Sequence, residues 1–158
     1  MIKAAYTGTF DPFTKGHSDI LRRASGIFDE VLVGVLNNAN KNSMFTISER
    51  VDIVEHYFID LPENISVKGY DGTSFNFVAE NNANVIIRGI RGTLDLDMEM
   101  QYAIMNKKYA GLETILLFSD LEKSIISSTL IKTLFKSGVN ILEFVNEYTY
   151  LKMKEKLQ

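Results

Sequence analysis

Apolar residues along this chain follow two rhythms. Short continuous runs at Ile2–Tyr6, Glu30–Leu36, Ile65–Gly69, Val85–Ile87 and Thr114–Phe118 read as buried strands. Between them, apolar positions recur at helical spacing. Ser18–Phe28 carries Ile20, Leu21, Ala24 and Phe28, and "TISERVDIVEHYF" sets Ile47, Val51, Val54 and Phe58 on one face. That second segment opens on Thr46 and Glu49, the spacing of a capping box. Met98, Tyr102, Met105 and Tyr109 form a stripe on a long helix expected after residue 93. Two helices then close the chain, Ser128–Lys136 ending at Gly138, and Ile141–Lys156. Strands alternating with helices predict an α/β fold: a doubly wound, parallel, five-stranded sheet of order 3-2-1-4-5, with helices at the C-terminal end.

A single domain over residues 1–158 is expected. The prolines are Pro12 and Pro62, no Gly/Ser-rich linker divides the chain, and no internal repeat is visible. The asparagine-rich stretches Asn37–Asn42 and Asn81–Asn84 read as loops. A composition of 46% hydrophobic and 23% charged residues suits a domain with a proper core. With 17 basic against 20 acidic side chains and a net charge of -3, the chain lacks the basic excess of a nucleic-acid binder, so no nucleic-acid partner is expected. The absence of cysteine removes disulfides, thiolate nucleophiles and cysteine-ligated zinc. No apolar stretch reaches membrane-span length, so the expectation is a cytoplasmic protein without a membrane partner.

In open parallel sheets, ligands sit outside the carboxyl ends of the strands, where strand order reverses. With order 3-2-1-4-5, strands one and four are neighbours there. The segments following them are "GTFDPFTKGH", Gly8 to His17, and "RGIRG", Arg88 to Gly92. The first has the parts of a phosphate site. Gly8 permits close backbone approach, Thr9 offers a hydroxyl and an amide, and Gly16 leads into a helix expected to begin near His17. It is neither a Walker A loop nor a G-x-G-x-x-G fingerprint. Arg88 and Arg91 bring planar forks suited to phosphate, Lys41 a further cation, and Ser127, Ser128 and Thr129 a helix start rich in hydroxyls and free amides. All four groups favour an extended polyanion.

These blocks resemble the HxGH nucleotidyltransferase superfamily, and specifically the bacterial phosphopantetheine adenylyltransferases. "TKGH" (Thr14–His17) matches the variant signature in which threonine stands first, and "MFTISER", "RGIRGTLDLDMEMQYAIMN" and "ISSTLIK" follow in family order. The resemblance runs essentially end to end. It implies a Rossmann-like fold and transfer of AMP from ATP to 4′-phosphopantetheine in coenzyme A biosynthesis, with magnesium, in a homo-oligomer that is typically a hexamer. By the same resemblance His17, Lys41 and Arg91 are catalytic. Thr9, Lys41, Ser74 and Arg88 contact the pantetheine substrate. Thr9, Phe10, His17, Gly89, Ile90, Arg91, Glu99 and the segment Lys123, Ser124, Ile125, Ile126, Ser127, Ser128, Thr129 hold ATP. The chain departs from the family pattern at Asn42, a frequent second lysine, at Ser43, where many members have proline, and at Lys123 and Ile125, often aromatic.

Plainer roles stand beside these. Arg88 and Arg91 could pair with Asp95 or Glu99, Ser127–Thr129 could simply cap a helix, and His56 sits at exposed-looking spacing. The Met98–Tyr109 stripe reads as packing, in the core or at a subunit interface. Asp95, Asp97 and Glu99 do not suggest a metal cage, because helix positions two apart do not face each other. Two rivals to the transferase reading are a sibling enzyme with another acceptor, such as nicotinamide mononucleotide, and a nucleotide-binding module without turnover.

Overall fold

A computed structural model describes residues 1–37, 42–60, 62–119 and 127–157. Five strands, β1 (Lys3–Gly8), β2 (Glu30–Leu36), β3 (Ile65–Tyr70), β4 (Val85–Ile90) and β5 (Glu113–Phe118), pair in parallel in the order β3-β2-β1-β4-β5. The expected topology is the observed one. Helices α1 (Lys15–Ser25), α2 (Ile47–Glu55), α3 (Ser74–Glu80), α4 (Thr93–Ala110), α5 (Ser128–Lys136) and α6 (Glu147–Leu157) connect or close it.

Alternation along the central strands divides the core. Ala4 and Tyr6 of β1, Val31, Val33 and Val35 of β2, and Ile87 of β4 join Ile20, Leu21, Ile53 and Ile131 in one cluster. Their neighbours Ala5, Leu32 and Ile86 face the other way, against Phe77 and Val78 of α3. This is the period-two behaviour of a sheet covered on both faces.

Several element limits differ from the sequence reading, each for a local reason. Strand β4 runs on to Ile90, because Arg88 and Gly89 pair with Leu116 and Leu117 of β5. Helix α1 starts at Lys15, not near His17, because Thr14 caps it. Helix α6 starts at Glu147 rather than Ile141: the Asn146 side chain accepts from the Thr149 amide, while Ile141 and Val145 are buried ahead of it. Helix α3 escaped the sequence reading. Its seven residues are too few for a clear period, although the Thr73 cap onto the Asn76 amide marks its start. Helix α4 ends at Gly111, whose φ of 67° is the left-handed conformation favouring glycine. The stripe Met98, Tyr102, Met105 and Tyr109 is exposed and takes no part in the core.

Candidate active site

A cleft of about 290 Å³ opens at the carboxyl ends of β1 and β4, floored by Tyr6 and Gly89 and closed by the start of α5. This is the topological switch point of the sheet. Its first wall is the turn from β1 into α1. Thr14 caps α1 by accepting from the His17 amide at 3.3 Å, and His17 Nδ1 accepts from the Thr14 amide at 3.1 Å. Histidine thus fills the place that Glu or Gln usually takes in a capping box. Because Nδ1 accepts, the imidazole proton sits on Nε2, leaving a donor for the cleft. The ring packs against Phe10 and Phe13 at centroid distances of 5.2 Å. Burial first, then the charges of Arg91 and Arg88, push its pKa down to about 3. His17 is therefore a neutral donor at neutral pH.

The backbone before it is strained. Phe10 has φ of 49°, rare for a residue with a bulky side chain. Its ring covers Gly8 so closely that a Cβ there would lie 2.9 Å from Phe10 Cε1. The Thr9 carbonyl accepts from Arg50 at 2.6 Å, and the buried Asp11 carboxylate accepts from the Met44 and Phe45 amides and from Lys132. The carbonyl and N–H of a trans peptide point in opposite directions. With the Thr9 carbonyl held by Arg50, the Phe10 N–H is turned the other way, and no acceptor takes it among the described residues.

The opposite wall carries charge. Arg88 Nε and Nη2 reach Glu99 at 2.6 and 2.7 Å, and Nη1 donates to the Thr7 carbonyl at 2.7 Å. Arg91 forms a similar fork with Asp95 at 2.8 and 2.9 Å, and these hydrogen bonds hold the Asp95 carboxyl below its ordinary range. Ser127 caps α5 through the Leu130 amide, and Ser128 Oγ donates to the Pro12 carbonyl at 2.9 Å. The first amides of α5 line the same cleft as these cations and neutral donors, a chemistry suited to polyphosphate.

The sequence model of the cytidylyltransferase-like family matches residues 5–134. The phosphopantetheine adenylyltransferase of Dictyoglomus thermophilum is 40% identical over 157 residues, covering 99% of this chain and 95% of that protein. The enzyme of the same name from Alkaliphilus metalliredigens is 41% identical over 152 residues, 96% of each chain. The chain belongs to the phosphopantetheine adenylyltransferase family. Its fold is shared more widely. The bifunctional NMN adenylyltransferase/ADP ribose pyrophosphatase of Francisella tularensis superposes with a TM-score of 0.70 at 16% identity, over 98% of this chain and 48% of that one.

In this adenylyltransferase the cleft gathers Thr9, Phe10, His17, Arg88, Gly89, Arg91, Glu99, and Ser127 to Thr129 from the sequence-derived set. Two residues of that set do not line it. The Ile90 side chain is buried in the core, and Ser74 opens α3 beyond β3. Lys41, Lys123, Ser124, Ile125 and Ile126 lie outside the described residues. The pairing read as a plainer alternative is present, since Arg88 and Arg91 do hold Glu99 and Asp95.

Sequence reasoning passed over Tyr6, Asp11, Arg50 and Lys132. Burial pushes the Tyr6 phenol well above its ordinary value, against the opposing pull of Arg88 and Arg91. Arg50 had a signal: it stands at i+3 from Ile47 and i−4 from Val54, on the apolar face of α2. Asp11 and Lys132, distant in sequence, had none.

Proposed function

We propose that this adenylyltransferase moves AMP from ATP onto 4′-phosphopantetheine, giving dephospho-coenzyme A and pyrophosphate. The observation carrying the reading is a neutral His17 donor facing two arginine forks, at the point where β1 and β4 separate, in a chain with end-to-end relatives of that name.

The acceptor is a phosphate monoester with a second pKa of about 6, so at neutral pH its oxygen is already an anionic nucleophile. That oxygen bonds to the α-phosphorus of ATP, the bond from this phosphorus to the bridging oxygen breaks, and pyrophosphate leaves with the electron pair. No general base is required, and none is needed from His17, which stays neutral. Positioning and charge stabilisation carry such a transfer. His17 Nε2–H and the Phe10 N–H would donate to α-phosphate oxygens. Arg91 and the α5 amides would hold the departing phosphates, and Arg88, near Thr7 and Glu99, the acceptor.

Magnesium fits as the counter-ion that ATP brings, with phosphate oxygens and water as its ligands. The cleft carboxylates Asp11 and Glu99, and Asp95 beside them, are each engaged by a cation of the chain, so no residue cage is assigned to it. Lys41 is kept as a candidate contact to the reacting phosphate, Ser74 as a contact to pantetheine, and Lys123–Ile126 as contacts to ATP, all by resemblance. Self-association into a hexamer in the cytoplasm completes the reading. The apolar residues that α4 exposes, Met98, Met100, Tyr102, Ile104, Met105 and Tyr109, favour it. Among the described residues no helix is long and apolar enough to cross a membrane.

The test is pyrophosphate release from ATP and magnesium, with 4′-phosphopantetheine, with nicotinamide mononucleotide, and without acceptor. Release dependent on 4′-phosphopantetheine is expected. Release only with nicotinamide mononucleotide would assign another acceptor, and ATP binding without release would leave a binding module.

A further inference from the structure

Arg50 is 1% exposed, the largest fully buried side chain described. Its guanidinium has no carboxylate within ion-pair distance among the described residues and is held by carbonyls. Nη1 donates to Thr9 at 2.6 Å and Leu36 at 2.8 Å, while Nε is shared between Phe45 at 3.2 Å and Thr46 at 3.3 Å. Burial pushes its pKa down, and Asp11 only partly offsets that. A buried cation without a paired anion is costly, and a methionine of similar length would fill the same core space without that cost. Retaining a guanidinium here needs a reason beyond packing.

Its four acceptors supply one. Thr9 belongs to the turn after β1, Leu36 ends β2, and Phe45 and Thr46 lead into α2. One planar fork therefore fixes the spacing of three separate pieces of backbone. The tightest of its bonds ends on the peptide whose other side is the Phe10 N–H. Phe10 is also the residue in the left-handed conformation, which persists only where its surroundings over-determine it. Asp11, next along the chain, is tied to the Met44 and Phe45 amides from the other direction.

We propose that Arg50 is a positioning residue for the transfer reaction: by locking the Thr9 carbonyl it turns the Phe10 N–H into the cleft and holds the strained turn there without touching substrate. The proposal rests on the adenylyltransferase reading above. Lysine at position 50 keeps the charge but has no fork to hold Thr9 and Leu36 together, and glutamine loses both.

The experiment combines turnover with a backbone probe. Arg50→Lys and Arg50→Gln should each lower kcat about 100-fold, the effect of losing one preorganised donor. KM for 4′-phosphopantetheine should stay within about threefold, because ground-state binding of the acceptor is not the function lost. In the unsubstituted protein, ATP with magnesium and no acceptor should shift the Phe10 amide resonance, and in the variants that shift should shrink or vanish. Lower melting temperatures with kcat per folded molecule near the parent value would make Arg50 merely structural and overturn the proposal. A Phe10 amide unmoved by ATP in the unsubstituted protein overturns it as well, even if both variants fail to fold. Should the parent release no pyrophosphate with any acceptor, the reaction assignment fails, while the amide response still decides what Arg50 orients.

Discussion

The turn after β1 and the turn after β4 face each other across one cleft, yet they hold their polar groups by different means. On the β1 side the ties are interior ones: Thr14 to His17, Arg50 to Thr9, and Asp11 to the backbone of Met44 and Phe45. His17 is neutral there, and Phe10 is held in a conformation it would not choose alone. On the β4 side the ties are arginine–carboxylate forks, partly open to solvent in the Arg91–Asp95 pair. A carboxylate and a phosphate oxygen are similar acceptors for a guanidinium, so an arriving phosphate can take the place of Asp95 without rebuilding the fork. The lesson is a division of labour. One wall is a fixed donor template, and the other presents cations whose partners can be exchanged.

Breaking the fixed wall should do the greatest damage. His17→Ala removes the neutral donor, and a fall in kcat of about 100- to 1000-fold is expected in steady-state assays. The Thr14 cap remains and only its reciprocal bond to Nδ1 is lost, which should cost no more than about 1 kcal/mol of stability, so the protein stays folded. Gly8→Ala comes next. Its Cβ would sit 2.9 Å from the Phe10 ring, and overpacking of this kind costs about 1–3 kcal/mol, read from the denaturation midpoint. Activity should fall with it, since Phe10 cannot give way without moving the turn.

A smaller effect lies in acid stability. The folded pKa of His17 is depressed to about 3, below its ordinary value of 6.5. Between these values the unfolded chain binds the extra proton, so stability rises with pH there and is lost as pH falls from 6.5 toward 3. His17→Gln should therefore lose less melting temperature than the parent between pH 7 and pH 4; an unchanged loss would contradict the half-buried, neutral ring. The exchangeable wall should show the least. Asp95→Asn is expected to change kcat/KM by no more than about fivefold, since partly exposed ion pairs contribute only about 0–1 kcal/mol. A hundredfold loss there would erase the distinction between the walls.

Much of this was legible in the residues. The strand order and the meeting of "GTFDPFTKGH" with "RGIRG" followed from alternation of strands and helices, and the Thr46–Glu49 capping box formed as expected. Local signals failed where distant partners decide. The extension of β4 to Ile90 depends on β5, and α3 depends on the sheet face that buries Phe77 and Val78. The spacing of Arg50 puts it on the apolar face of α2, but its partners show only once Thr9, Leu36 and Phe45 come together around it, and the bond of Asp11 to Lys132 joins opposite ends of the chain. The family likeness named His17 as a site residue, but its Nδ1 bond to Thr14, which fixes the tautomer, became visible only with α1 starting at Lys15.

The most direct test of a fixed, neutral donor template is the imidazole nitrogen spectrum of His17, followed from pH 5 to pH 8. The account predicts an unprotonated Nδ1 and a protonated Nε2 throughout, with no titration in that range. A midpoint near 6.5, or a proton on Nδ1, would mean that His17 is an ordinary surface histidine and that the β1 wall is not the template described.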